Sequence, residues 1–94
     1  MTYSPEEKLQ LKIDDVVWRE VEGELVVLEL STSLYLTLNG TAKLLWEALS
    51  GGATTGALVE VLTREYDIGE DQAMSDVEVF LQTLTERNLL VQGT

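Results

Sequence analysis

The chain has 94 residues, with 17 acidic against 6 basic side chains for a formal net charge of −11, and it contains neither cysteine nor histidine. That length makes one domain, which buries about two thirds of its unfolded surface: enough for a core, too little for a deep enclosed active site. The charge opposes phosphate backbones and anionic membrane surfaces, and the missing residue types exclude disulfides, thiol chemistry, Cys/His zinc sites and His-based triads.

The chain begins MTYSPEEKLQ, polar and carrying the single proline, Pro5. It lacks the basic and apolar regions of a signal peptide, and no stretch approaches the roughly 20 apolar residues of a membrane span. The expectation is a soluble, cytoplasmic protein whose residues 1–14 are a loosely ordered N-terminal segment. Within it Leu9, Leu11 and Ile13 alternate with polar residues, which predicts a short extended piece.

VVWREV (16–21) and ELVVLEL (24–30) are β-rich runs joined by Glu22-Gly23. Glycine in a two-residue link supplies the positive φ of a tight hairpin. In the second run Val26, Leu28 and Leu30 share one face and Leu25, Val27 and Glu29 the other. Both faces are apolar near the middle, so part of the second is expected to be covered. Ser31-Thr32-Ser33 reads as a turn. Leu34, Leu36 and Leu38 then line one face of a third strand, with Tyr35 and Thr37 on the other. Short links make the three a meander.

After Asn39 the apolar spacing lengthens. Asn39 is a good N-cap, and Ala42, Leu45, Trp46 and Leu49 form a helical stripe that ends at Gly51-Gly52. Thr54 or Thr55 caps a second helix with Leu58, Val61, Leu62 and Tyr66 on its buried side, broken by Asp67-Ile68-Gly69. A third helix runs from about Glu70 to Arg87, acids in its first turn as the helix dipole prefers, with the stripe Ala73, Val77, Phe80, Leu81 and Leu84. Asn88 stops it, and Leu89-Leu90-Val91 pack back as a short extended tail. Three strands followed by three helices predict an α+β fold with the helices on one face of an antiparallel sheet.

Little in this order suggests catalysis. Glu20, Glu22, Glu24 and Glu29 flank the hairpin, and Glu60, Glu65, Asp67, Glu70 and Asp71 surround the later helices, mostly on solvent faces. None has the spacing of a calcium loop. No serine stands in G-x-S-x-G, and the glycines of GGATTG lack the Gly-Lys-Ser/Thr ending of a phosphate loop. Trp46 falls on a core stripe. No catalytic residue, metal or cofactor is assigned.

Binding fits better. A three-stranded meander has two edges, and an uncovered apolar edge is an aggregation hazard unless a partner uses it. The first or the third strand can accept an added strand, with affinity from backbone hydrogen bonds and specificity from side-chain pockets. If the third is the edge, the third helix forms the far wall of a groove, with Val77, Phe80, Leu81 and Leu84 as candidate pocket residues. Periodicity alone favours the core for these four.

The passage LVVLELSTSLYLTLNGTAKLLWEAL, through Tyr35, Leu38, Asn39, Trp46 and Leu49, resembles the PqqD-like RiPP recognition elements. SDVEVFLQTLTERNLLV matches that family's ending through Asp76, Val77, Phe80, Leu81, Leu84, Leu89 and Leu90. The likeness spans roughly residues 15–92 and is nearest to the stand-alone elements of lasso-peptide pathways. It implies a winged-helix-like domain, three antiparallel strands then three helices, that binds the leader of a ribosomally made precursor. The leader adds as an antiparallel strand between the third strand and the third helix. The bound precursor then passes to a separate, transglutaminase-like leader peptidase and a cyclase. Mapped onto this chain, the peptide-binding residues are Leu34, Tyr35, Leu36 and Thr37 on the strand and Met74, Asp76, Val77, Phe80, Leu81 and Leu84 on the helix. Two alternatives stand beside this reading: a carrier for the pyrroloquinoline quinone precursor peptide, and an acidic protein–protein adaptor. Winged helices often bind DNA, but the third helix sets Glu70, Asp71, Asp76 and Glu78 against Arg87, so nucleic acid is not an expected partner.

Overall fold

The alternation of residues 16–38 becomes an antiparallel meander in the computed structural model, which describes residues 7–92. In chain order the elements are β1 (Lys8–Leu11), β2 (Val16–Val21), β3 (Glu24–Glu29), β4 (Leu34–Leu38), α1 (Gly40–Leu49), β5 (Ala53–Thr54), α2 (Thr55–Glu65), α3 (Glu70–Glu86) and β6 (Leu90–Gln92). At the β2–β3 link Glu22 has φ 52° and Gly23 φ 85°, the two positive values of a hairpin turn whose twist matches its strands. The sheet order is β2-β3-β4.

Register decides which side chains face the helices. Trp18, Val27 and Leu36 lie opposite one another across the three strands, as do Leu25 and Leu38 across β3 and β4. This row faces the core: Leu25, Val27 and Leu38 are buried, and Trp18 and Leu36 pack against them. The Trp18 ring meets Trp46 of α1 edge to face, centroids 5.3 Å apart, a favoured aromatic arrangement. The opposite row, Val17, Leu28 and Tyr35, looks outward. Val26 and Leu28 are only half-buried there.

The helices follow the expected stripes with two differences. Leu45, Trp46 and Leu49 of α1 are buried, as are Ala73, Val77, Phe80, Leu81 and Leu84 of α3. In α2 the buried apolar residues are Leu58, Val59 and Leu62. Val61 is half-buried and Tyr66 exposed, because the helix ends at Glu65 and Tyr66 already has extended φ and ψ. Asn39 holds the N-cap position of α1, but its side chain makes no cap bond. Its Nδ2 donates to Glu24 Oε2 at 3.3 Å instead. Thr54 does cap α2, accepting from the Ala57 N–H at 3.1 Å. α3 stops where expected, with Asn88 at φ 60°.

A second sheet, order β5-β1-β6, was not among the expected elements. β1 pairs antiparallel with β5 on one side and with β6 on the other, with Leu9 opposite Ala53 and opposite Gln92. The expected extended segment at residues 9–13 and the tail at 89–91 are thus two strands of one small sheet. Leu9 is fully buried and Leu11 nearly so, both in the common core, whereas Ile13 is exposed. Residues 1–6 and 93–94 lie outside the described residues, and with them much of the stretch expected to be loosely ordered. Among the described residues no helix is long and apolar enough to cross a membrane.

Because Leu9 is wholly enclosed, Leu9→Ala should destabilise the fold by about 2–5 kcal/mol, the usual range for a buried leucine. Urea denaturation followed by tryptophan fluorescence measures this. An unchanged midpoint would mean that β1 is not part of the cooperative unit.

Candidate functional site: an open strand edge beside α3

The hairpin turn fixes the direction of every main-chain group in the sheet. Val21 and Glu24 flank a two-residue link, so they exchange hydrogen bonds, and pairs alternate along the ladder from there. Glu24, Val26 and Leu28 therefore bond to β2, and Leu25, Val27 and Glu29 to β4. Their β4 partners are Leu38, Leu36 and Leu34. The N–H and C=O groups of Tyr35 and Thr37 are left pointing away from the sheet. β4 has no further strand beside it among the described residues, so these groups form a free edge.

α3 reaches the sheet near both ends of β4, in antiparallel order. At one end Leu38 shares a cavity of about 280 Å³ with Asp76, Val79, Phe80 and Thr83 of α3 and Thr41 and Ala42 of α1. At the other end Arg87 bonds Glu29 at 3.2 Å, and Glu29 lies opposite Leu34. A second cavity of about 340 Å³ opens there, where Lys12 and Arg87 are mixed with Asp14, Asp15 and Glu29. The Leu38-end cavity is apolar at Leu38, Ala42, Val79 and Phe80 and carries one carboxylate, Asp76.

The residues expected to bind peptide separate into three groups. Leu34, Tyr35 and Thr37 are exposed on the free strand, Leu36 is half-buried on its inner face, and Asp76 is half-buried at the cavity. Val77, Leu81 and Leu84 have no exposed surface and Phe80 only 7%; the first three support the groove from below, and Phe80 reaches its surface through the cavity. Met74 lies apart, in a depression with Gly56, Val59, Glu70 and Asp71 on the α2 side. Leu38, Thr41, Ala42, Val79 and Thr83 were not anticipated. Val79 had a signal: it is an apolar residue off the core stripe, and it is 64% exposed.

Lys43 of α1 ties the hairpin to the helix layer, with Nζ 2.9 Å from Glu20 Oε2 and 3.5 Å from the Gly23 carbonyl. The Glu20 carboxylate, as hydrogen-bond partner, holds the Lys43 ammonium above its ordinary pKa. Among the described residues no three acidic side chains gather as metal ligands would. What the groove offers chemically is outward main-chain donors and acceptors beside an apolar pocket, the means of holding an extended segment.

The model of the family described as coenzyme PQQ synthesis protein D (PqqD) matches residues 24–90. The chain belongs to the PqqD family. The match covers β3, β4 and all three helices, so both walls of the groove lie within the PqqD region. Two solved structures share the fold. One is TbiB1 in complex with the TbiA(beta) leader peptide, 27% identical, TM-score 0.78, covering 86% of this chain and 93% of that one. The other is a lasso peptide synthetase B1 complexed with the leader peptide, 23% identical, TM-score 0.78, covering 88% of this chain and 96% of that one. No curated protein matches. The resemblance to PqqD-like RiPP recognition elements is therefore borne out, as is the α+β fold.

The split between wall and floor has a stability consequence. Phe80→Ala should cost about 3–5 kcal/mol, whereas Val79→Ala, one residue away, should stay within about 0.5 kcal/mol. Chemical denaturation of the pair checks whether α3 presents Val79 to the groove and Phe80 to the core.

Proposed function

We propose that this PqqD-family protein is a non-catalytic recognition protein for the leader of a ribosomally made precursor peptide, of lasso type. The leader adds as an antiparallel strand to β4, against α3, and the bound precursor is delivered to a leader peptidase and then to a cyclase. The observation that carries this reading is the free β4 edge, where the register leaves the main-chain groups of Tyr35 and Thr37 unpaired, beside a largely apolar cavity between Leu38 and α3. Both structural neighbours described above were solved with a leader peptide bound, which supports it.

Leu34, Tyr35, Leu36 and Thr37 supply the strand, and Asp76 and Phe80 the opposite wall. Val77, Leu81 and Leu84 hold that wall in place, and Met74 serves the α2 side. The protein acts by positioning and by raising local concentration rather than by bond chemistry. Delivery requires a second surface. The outward sheet face supplies one, with Val17 50% and Tyr35 65% exposed in one cross-strand row, the kind of exposed apolar face that marks protein contacts. An eight-residue strand in the groove buries on the order of 1,000–1,500 Å² in total. Ordering the free leader offsets several kcal/mol of that gain, so a Kd of roughly 0.01–10 μM is expected. The family description, which names coenzyme PQQ synthesis, supports a second reading in which the same groove carries the pyrroloquinoline quinone precursor.

Fluorescence polarisation with the labelled leader of the precursor encoded beside this chain tests the reading. Binding in the stated range is expected, and the identity of that precursor separates the two pathways. Thr37→Pro removes one outward N–H, a change edge strands tolerate, and should weaken binding at least tenfold with the melting temperature little changed. N-methylation of alternate leader residues should do the same from the ligand side. A folded sample that binds no leader would discard the proposal. Val17→Glu should leave leader affinity within about twofold but slow cleavage by the peptidase.

A further inference from the structure

The cavity at the Leu38 end of the groove has a composition that strand addition alone does not use. Its walls are apolar at Leu38, Ala42, Val79 and Phe80, with the Asp76 carboxylate on the same surface. At about 280 Å³ it falls just below the range of roughly 300–1,000 Å³ typical of small-molecule sites, which suits one side chain. Asp76 Oδ1 accepts from Gln72 Nε2 at 2.9 Å. That bond orients the carboxylate and leaves Oδ2 without a protein partner among the described residues.

No basic side chain lines the cavity. The nearest candidates are engaged elsewhere: Lys43 with Glu20, and Arg87 with Glu29. The remaining charges of α3, Glu70, Asp71, Glu78 and Glu86, are all negative, within a chain of net charge −11. The local potential is therefore negative over an apolar surface. Long cationic side chains match that combination, laying an aliphatic stem on apolar walls while the charged head reaches a carboxylate.

We infer that this cavity takes a lysine or arginine side chain of the bound peptide, its stem against Leu38, Val79 and Phe80 and its charge on Asp76. The inference rests on the strand-addition reading above and adds the specificity that reading lacks. It also sets a position. An antiparallel peptide has its N-terminal part at the C-terminal end of β4, where Leu38 and the cavity lie. The cation therefore belongs at the N-terminal end of the strand-forming segment.

The test scans the labelled leader encoded beside this chain, one position at a time, with lysine, norleucine, glutamate and tyrosine. At one position near the N-terminal end of the segment, lysine should bind up to about fivefold more tightly than norleucine, which keeps the stem and removes the charge. Glutamate there should be weaker still. Raising the salt concentration should shrink the lysine advantage. Asp76→Asn keeps an acceptor for Gln72, should melt as the parent does, and should reduce the lysine–norleucine difference to less than twofold. Asp76→Lys should reverse the order and favour glutamate. Leader binding with no position at which the lysine preference depends on Asp76 would overturn the inference and leave strand addition standing. So would tyrosine binding more tightly than lysine at that position, since the cavity would then be a ring pocket. Failure of every peptide to bind the folded protein would overturn strand addition and the inference together.

Discussion

The alternation of main-chain direction along a strand is the constraint on which the groove depends. The turn at Glu22-Gly23 holds two residues at positive φ and so makes Val21 and Glu24 a bonded pair. That choice propagates through the register to β4, where Tyr35 and Thr37 must face outward. A slip of the β2–β3 register by one residue would invert it. The inward groups would then be those of Tyr35 and Thr37, and the side-chain faces would exchange as well. Leu25 and Val27 would leave the core and Val26 and Leu28 would enter it. A short turn at the Leu38 end of the sheet thus sets both which main-chain groups of β4 stay unpaired and which apolar faces are buried.

An open edge on a small protein is a hazard as well as a tool. Two copies could pair through β4 as readily as one copy pairs with a peptide. The charge of −11 works against the first and less against the second, because a copy brings the whole charge and a peptide only its own. The core supports this division. Val77, Leu81 and Leu84 have no exposed surface, so the groove's wall is held by packing that does not require an occupant. The most exposed large apolar side chains are Tyr35 and Leu34 of β4 and Val79 of α3.

Much of this was legible in the sequence because it depends on local signals. The three strands of the meander, the Glu22-Gly23 turn, the start of α1 after Asn39 and the five buried residues of α3 all follow from period-2 and period-3.6 spacing with known turn chemistry. The β5-β1-β6 sheet was not legible as a sheet. Ala53-Thr54 and Leu90–Gln92 are too short to show any period, and their pairing with β1 joins residues distant in the chain. Tyr66 was misplaced because spacing alone does not reveal that the helix ends one residue earlier. Asn39 was placed correctly, but its side chain turned to Glu24, a partner fifteen residues back, that helix-capping statistics do not include. The strand side of the candidate site was readable as an apolar edge. The helix side was readable in part: Asp76 and Phe80 were named and line the cavity, whereas Val79 and Thr83 lie beside the stripe, which names the residues that pack inward.

That last point explains the character of recognition this fold can support. In the proposed strand addition, main-chain bonds to Tyr35 and Thr37 would be blind to side chains, so most of the affinity would be available to many extended sequences. Discrimination must come from the few places where the walls are shaped or charged. The described groove has a mixed-charge end, where Arg87 is already neutralised by Glu29, and an apolar end, where Asp76 is the one carboxylate on the surface. The second sets its carboxylate among apolar walls, whereas the first mixes Lys12 and Arg87 with Asp14, Asp15 and Glu29. Under the proposed reading, a partner that fits a generic strand and one oriented charge could vary widely in sequence while keeping its register, because a shift of two residues would preserve the main-chain bonds and lose the pairing at Asp76.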